Sequence, residues 1–324
     1  MNGMEGQLKL VVYGADGRRF QRERLLSVGL AASVDAVADG LTVRLAGGEE
    51  LPELSEWELW LGEQLLSSGL VDEQEHSWDS HGHRVELAGR SWGALLLDNE
   101  ALPAVYEDLT LRELARRSLE PYGRFSLAVP QTLRLPQFTI PKGLSEWEAL
   151  ERFCQSALGV PLWLDGDTVR AGTRPTGRRW SLLPEEGGAL PVKGLYHRVR
   201  RVKLISKVCL RDTFGYYSSA VGPPAEQVRG VRRKRYLIPP SPYTGKTGQD
   251  ADQLLRRALA QRDEVTAELA GLWPVRLCDV LRFPPGLVGW TEGAVVRVEH
   301  RLDGGGGRTT VTLVEPDCLR DWSE

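Results

Sequence analysis

The chain has 324 residues, 41% of them hydrophobic and 26% charged, with a formal net charge of −3. That length exceeds the usual single-core size, so two or more domains are expected, and the near-neutral balance excludes a global basic field for nucleic acid or anionic membrane. No apolar run approaches the ~20 residues of a membrane helix, and the start MNGMEGQLKL lacks a hydrophobic signal core. The expectation is a protein made in the cytoplasm, without membrane insertion.

From the N-terminus, LKLVVYG (8–14), LLSVGLAAS (25–33), LTVRLAG (41–47) and WELWLG (57–62) are strand-length segments separated by turn residues. LLSSGLVDEQEHSW and HRVELAGRS then read as the two arms of a hairpin. A first small antiparallel barrel over residues 1–105 is implied.

The middle third changes character. Thr110 with Glu113 forms one capping box and Ser145 with Glu148 another, each opening a segment of helical periodicity. Trp147, Leu150, Cys154, Ala157 and Leu158 share the face of the second helix. FTIP lies between the helices, and Asp165-Gly166 after them is a hairpin turn signal. Residues 106–188 form an α+β module.

From residue 189 to 324 β character returns in YHRVRRVKLISKV, TFGYYSSAV, RKRYLIP, VRLCDVLRF, GAVVRVEHRL and RTTVTLVE. The stretch 250–271 interrupts them and predicts one helix, N-capped by Asp250 and ended by Gly271. The fold class is therefore mainly β with α+β insertions, two similar antiparallel barrels flanking an α+β module. Cys154, Cys209, Cys278 and Cys318 form no CxxC pair and are expected as buried free thiols.

Residues 76–91, HSWDSHGHRVELAGRS, hold three of the five histidines and suggest a metal site. Residues 69–84, however, align without a gap over residues 293–308, matching Gly69 with Gly293, Glu75 with Glu299, His76 with His300, Asp79 with Asp303 and Arg84 with Arg308. Along the second segment Val296, Val298, His300 and Leu302 fall on one strand face, and Arg297, Glu299 and Arg301 on the other. The match argues for two copies of one fold, with 69–91 equivalent to 293–315. His81 and His83 align with Gly305 and Gly307, so they sit where the other copy has a plain turn. A closed zinc site needs four converging ligands from rigid elements, which this turn does not offer.

TGKTG (244–248) lacks the first glycine of a phosphate-binding loop, and Pro242 supplies no N–H donor. GGGG (304–307) precedes a strand, so no helix N-terminus can meet a phosphate there. Arg198, Arg200, Arg201 and Lys203, with Arg229, Arg232, Arg233, Lys234 and Arg235, form two basic clusters. If the first continues as a strand, Arg201 and Lys203 face one way and Arg198 and Arg200 the other. Hydrolase signatures are absent, so no catalytic, cofactor or metal residues are assigned.

The segment HRVELAGRSWGALLLDNEA (83–101) resembles the end of the first barrel in baseplate hub proteins of contractile-tailed phages, especially the Mu-like, late control D-like tail hubs. There a strand ending in Gly-Arg-Ser or Gly-Arg-Asp leads to Leu-Leu-Asp, here Gly89, Arg90, Ser91 and Leu96, Leu97, Asp98. TLRELARRSLEPYG (110–123) and FTIPKGLSEWEALERFCQSALGVPLWLDGDTVRAG (138–172) follow in the family's order. The resemblance implies a non-catalytic structural hub, a homotrimer whose two barrels per chain give a pseudo-sixfold ring. Such a ring joins a hexameric tail tube to a trimeric central spike beside other baseplate proteins, with DNA passing through the lumen unread. It implies residence in a virion or phage-tail-like particle assembled in the bacterial cytoplasm. The structural motif residues it singles out are Gly89, Arg90, Ser91 and Asp98, beside the repeated His76 and His300. Two other readings remain. Scattered carboxylates and ten tryptophans suit a tail-borne peptidoglycan-degrading enzyme, and the basic clusters suit phosphate contacts with DNA.

Overall fold

The computed structural model describes residues 7–319 except 48–50, 81, 130–131, 160 and 238–250. Seven strands open the chain: β1 (Leu8–Gly14), β2 (Arg19–Arg22), β3 (Leu25–Ser33), β4 (Gly40–Ala46), β5 (Leu54–Leu61), β6 (Gln64–Asp79) and β7 (Gly82–Ser91). The short helix α1 (Ala94–Asp98) leads into β8 (Ala104–Thr110), α2 (Leu111–Ser118), β9 (Ser126–Ala128), β10 (Arg134–Ile140), α3 (Glu146–Leu158), β11 (Leu162–Asp165) and β12 (Thr168–Ala171). After β13 (Arg179–Ser181) and β14 (Val192–Val199) comes a small sheet of β15 (Lys207–Leu210), β16 (Ser219–Val221) and β17 (Lys234–Leu237). Helix α4 (Ala251–Ala260) and the strands β18 (Asp263–Ala270), β19 (Val280–Arg282), β20 (Glu292–Asp303) and β21 (Gly306–Val314) finish the fold.

Alternating polarity dictates where the cores lie. In β4 every second residue is buried, and Leu41, Val43 and Leu45 join Leu10, Val12, Trp57, Leu59, Val85 and Leu87 in one core. In β18 the same alternation buries Val265, Ala267 and Leu269, which pack with Val298, Val311, Leu313 and Phe283. Between them α2 and α3 lay Leu111, Leu114, Leu150 and Phe153 on a third core. Both capping boxes form: Thr110 and Ser145 each accept from the backbone N–H three residues on, and Glu113 and Glu148 accept from the cap backbone in return. A small fourth core gathers Val208, Leu255 and Ala258.

The two large curled antiparallel sheets repeat one another in register. Gly40–Ser91 corresponds to Glu264–Glu315 without insertion or deletion. Leu41 opposite Gly89 matches Val265 opposite Leu313, Trp57 opposite Gly69 matches Leu281 opposite Gly293, and His76 opposite Val85 matches His300 opposite Thr309. Even the bulge recurs, between Val71 and Glu73 in β6 and between Val295 and Arg297 in β20. β3 and β14 are likewise equivalent: Leu30 opposite Leu41 matches His197 opposite Val265, and both carry a bulge, between Leu25 and Ser27 and between Val192 and Gly194. The copies differ in what joins that strand to the next: residues 34–39 in the first, 200–262 in the second. The copies are fused edge to edge, because β20 pairs antiparallel with β3, His300 opposite Leu30. One continuous sheet path therefore runs from β14 at one end, through β20 and β3, to β1 and β2 at the other.

Four expectations fail locally. The helix expected over 250–271 ends at Ala260, and Asp263–Ala270 is a strand; Asp250 lies outside the described residues. Its composition favours helix, but Val265, Ala267 and Leu269 alternate and are claimed by β14 and β21 on either side, so tertiary pairing overrides propensity. YHRVRRVKLISKV is not one strand: β14 stops at Val199, and Arg201–Lys203 forms a 3-10 turn, which removes the two-faced arrangement of its cations. Strand pairing in VRLCDVLRF is confined to Val280–Arg282, since Cys278 has a left-handed φ of 65°. Val296 occupies the β20 bulge and is only half-buried, so Val295 takes the inward place. TGKTG lies outside the described residues.

Candidate functional site

The hairpin end of the first copy assembles the Gly-Arg-Ser residues around three side chains the sequence did not single out. A side chain on Gly89 would meet the Leu70 carbonyl oxygen at 2.4 Å and the Trp57 indole nitrogen at 2.6 Å. Glycine there lets the buried indole come up against β7 and donate to the Leu70 carbonyl at 2.8 Å. Arg90 uses its planar fork twice: Nε and Nη2 donate to Asp72 at 2.8 and 2.9 Å, and Nη1 and Nη2 donate to Asp98 at 2.9 and 2.8 Å. These bonds hold the guanidinium further into its charged range and keep the Asp98 carboxyl below the ordinary aspartate value. The pair of forks fastens α1 to β6 and β7.

Ser91 closes the other side. Its hydroxyl accepts from the Asp39 backbone N–H at 2.8 Å, while its own N–H donates to the Asp39 carbonyl at 2.9 Å. Burial pushes the Asp39 carboxyl up, partly opposed by a 2.6 Å hydrogen bond donated by Ser67. Gly89, Arg90, Ser91 and Asp98 thus form one structural knot, in which Asp72, Trp57 and Asp39 are the partners missed. Asp72 had no visible signal: it reaches Arg90 because it occupies the bulge.

His76 and His300 occupy equivalent positions in different surroundings. His300 is 4% exposed, and burial lowers its imidazole to about 4. Its Nδ1 lies 3.4 Å from the Thr309 hydroxyl. His76 is half-buried at the hairpin tip, stacked with Trp78 and His83. Gln74 Nε2 donates to its Nε2 at 2.9 Å, which leaves Nδ1 to donate to His83 Nε2 at 3.2 Å. With its lone pair taken by an amide N–H, His76 is a structural hydrogen-bond relay. Among the described residues no group of three or more His, Cys, Asp or Glu side chains is placed to hold a metal ion, and His81 lies outside them.

In the basic region, Arg201 donates to the Arg229 carbonyl and Arg233 to the Arg201 carbonyl at 3.0 Å, so these guanidiniums tie loops together. All four cysteines are free and buried, and burial raises the thiols of Cys154, Cys278 and Cys318 to about 12. No helix among the described residues is long and apolar enough to cross a membrane.

Two register-matched curled sheets around an α+β module are a fold that the chain shares with solved phage tail proteins. The chain superposes nearly end to end on the tail protein of Neisseria meningitidis MC58, with a TM-score of 0.73 at 16% identity, covering 96% of this chain and 99% of that one. It matches the 43 kDa tail protein of prophage MuSo2 from Shewanella oneidensis equally well, with a TM-score of 0.73 at 17% identity over 97% and 100%. A weaker match, TM-score 0.55 at 12% identity, is to the E. coli c3393 protein, a type VI secretion component, over 92% of this chain and 75% of that one. In sequence, 153 residues are 29% identical to the baseplate hub protein gp44 of Escherichia phage Mu, a stretch covering 44% of this chain and 40% of that protein. No family model matches the chain. In fold the chain is similar to phage tail proteins, and in part of its sequence to a baseplate hub protein.

Proposed function

We propose that three copies of this chain form a closed ring of six equivalent curled sheets, which joins a hexameric tail tube to a trimeric central spike. The observation that carries this reading is the duplication: two sheets of the same register and bulge pattern in one chain. Two quasi-equivalent units in each of three chains give a surface of near-sixfold symmetry on a threefold molecule. A sixfold partner can then stack on one side and a threefold partner on the other. The knot of Gly89, Arg90, Ser91 and Asp98 serves this role by fixing α1 and the middle module against the first sheet, so that the ring is rigid where it bears load. The ring needs no catalysis, sits in the baseplate of a virion or phage-tail-like particle assembled in the cytoplasm, contacts other baseplate proteins, and lets DNA pass without reading its sequence.

Electron microscopy of the chain mixed with its tube and spike proteins tests the reading. The expected result is a threefold ring showing six similar densities around a lumen. A chain that stays monomeric at high concentration with both partners present would overturn it.

A further inference from the structure

The insert that distinguishes the second copy carries a charge its surroundings do not. Residues 200–237 hold ten of the chain's 41 Lys and Arg but two of its 44 Asp and Glu. The rest of the chain is therefore acidic, and this stretch strongly basic. Nothing in the duplicated fold requires it, because the first copy makes the same connection with residues 34–39. Of the ten cations only Arg200 has a carboxylate partner among the described residues, Glu264. Arg201 and Arg233 are tied to backbone carbonyls, which satisfies donors without neutralising charge.

The small sheet, ordered β16, β15, β17, gives this charge a defined face. Alternation turns Val208 and Leu210 of β15, with Leu237 of β17, onto the core that α4 completes with Leu255 and Ala258. Lys207 and Cys209 then point the other way, and the parallel register sets Lys234 and Tyr236 directly beside them. On that side Tyr236 is 56% exposed, meets Tyr217 edge-on at a ring separation of 4.9 Å, and has Lys234 Nζ 5.5 Å from its ring centre. Lys207 and Lys234, both exposed, stand opposite one another, and like charges so placed destabilise a sheet. An anion laid across the face would convert that repulsion into attraction.

The turn from β15 to β16 adds further rings. Asp212 accepts from the Phe214 and Tyr216 N–H groups at 3.0 and 2.8 Å and from the Ser218 hydroxyl at 2.9 Å, so the turn is held in place. Phe214 is nevertheless 84% and Tyr216 71% exposed. Exposed Arg211 donates to the Gly215 carbonyl at 3.3 Å, which keeps its guanidinium beside them.

We infer that this face binds single-stranded nucleic acid without reading its sequence. Lys207, Lys234 and Arg211 meet phosphates, and Tyr236, Phe214 and Tyr216 stack on unpaired bases. Cations beside open ring faces match a strand in which phosphates and free bases alternate. A duplex offers the phosphates but hides its base faces in the stack, leaving the rings without partners. An acidic protein segment fits the charge, yet protein interfaces are depleted in Lys, and here two lysines stand side by side. Such binding does not depend on the chain forming a ring.

Fluorescence anisotropy of a labelled oligothymidylate, titrated with the full-length chain, tests this. Neutralising about three phosphates of a single strand predicts a loss of affinity of about 20-fold between roughly 50 and 200 mM salt. Lys207→Gln with Lys234→Gln should reduce that loss to about threefold and, by relieving a repulsion, should not lower the thermal midpoint. Tyr236→Ala should weaken binding about tenfold at every salt concentration, with the salt dependence unchanged, and Tyr236→Phe should restore it. Phe214→Ala should weaken it likewise without touching the sheet, and circular dichroism establishes that each variant is folded. Failure to bind the oligonucleotide, equal affinity for a duplex of the same length or for polyglutamate, or Tyr236→Ala and Phe214→Ala variants that bind like the parent would overturn the proposal. A threefold ring could still form in each of these cases.

Discussion

Where β5 carries Trp57 and β7 carries Gly89, the second copy carries Leu281 on β19 and Leu313 on β21. All four positions are in the interior, and both leucines are fully buried. One copy fills the space with an indole lying over a bare backbone, the other with two aliphatic side chains. Strand register survived while the partition of volume between facing positions changed, because register is set by backbone pairing and by which face is apolar, and volume only has to sum correctly.

The sharpest way to break that comparison is to give the first copy only half of the second copy's solution. Gly89→Leu drives a side chain into the Trp57 indole and the Leu70 carbonyl, and is expected to cost about 4 kcal/mol through overpacking and a lost buried hydrogen bond. Adding Trp57→Leu should recover more than half of the loss. Chemical denaturation of both variants measures this; a double variant as unstable as the single one would show that the two copies are not interchangeable in packing.

The histidines give the next largest effect. His300 is covered because β3 runs alongside β20, whereas His76 sits on an edge strand with no such neighbour among the described residues. Burial keeps His300 neutral, with its value lowered to about 4, against ~6.5 in the unfolded chain. Below pH 6.5 the unfolded state binds a proton that the folded state refuses. The contribution of this group is therefore complete above 6.5 and is lost as pH falls towards 4, by roughly 3 kcal/mol in all. Between pH 7 and 4 the unfolding free energy of the parent should fall by roughly 3 kcal/mol more than that of His300→Gln. Parallel curves would remove His300 from the acid limb.

How much of this was legible follows the same division. The hairpins could be aligned from sequence because Gly40–Ser91 and Glu264–Glu315 run without a gap. The equivalence of β3 and β14 was hidden, since residues 200–262 stand in the second copy where six residues, 34–39, stand in the first, and no ungapped comparison spans them. β18 was misread because its alternation is only a few residues long and follows a true helix of similar composition. The knot was half legible: Gly89, Arg90, Ser91 and Asp98 were marked by resemblance, yet nothing local connects Arg90 to Asp72. Their contact exists only because a bulge turns Asp72 outward beside the neighbouring strand.

That bulge supplies the smallest and most discriminating prediction. Its equivalent in β20 is Val296, and the equivalent of Arg90 is Val314, so the second copy retains the backbone irregularity with two apolar residues in place of the ion pair. The second copy therefore holds the bulge without charges, and what the charges answer to beside the first copy is α1 with Asp98. Because the groups are partly exposed, Arg90→Ala should cost only about 1 kcal/mol, and less at high salt. Arg90→Lys should not restore it, since a single ammonium cannot fork to two carboxylates. The informative readout is local: hydrogen exchange should quicken in α1 while the amides flanking the Val71–Glu73 bulge stay protected. Exchange that quickens at the bulge as well would mean that the first copy holds its irregularity by the ion pair, and that the two hairpins keep the same register for different reasons.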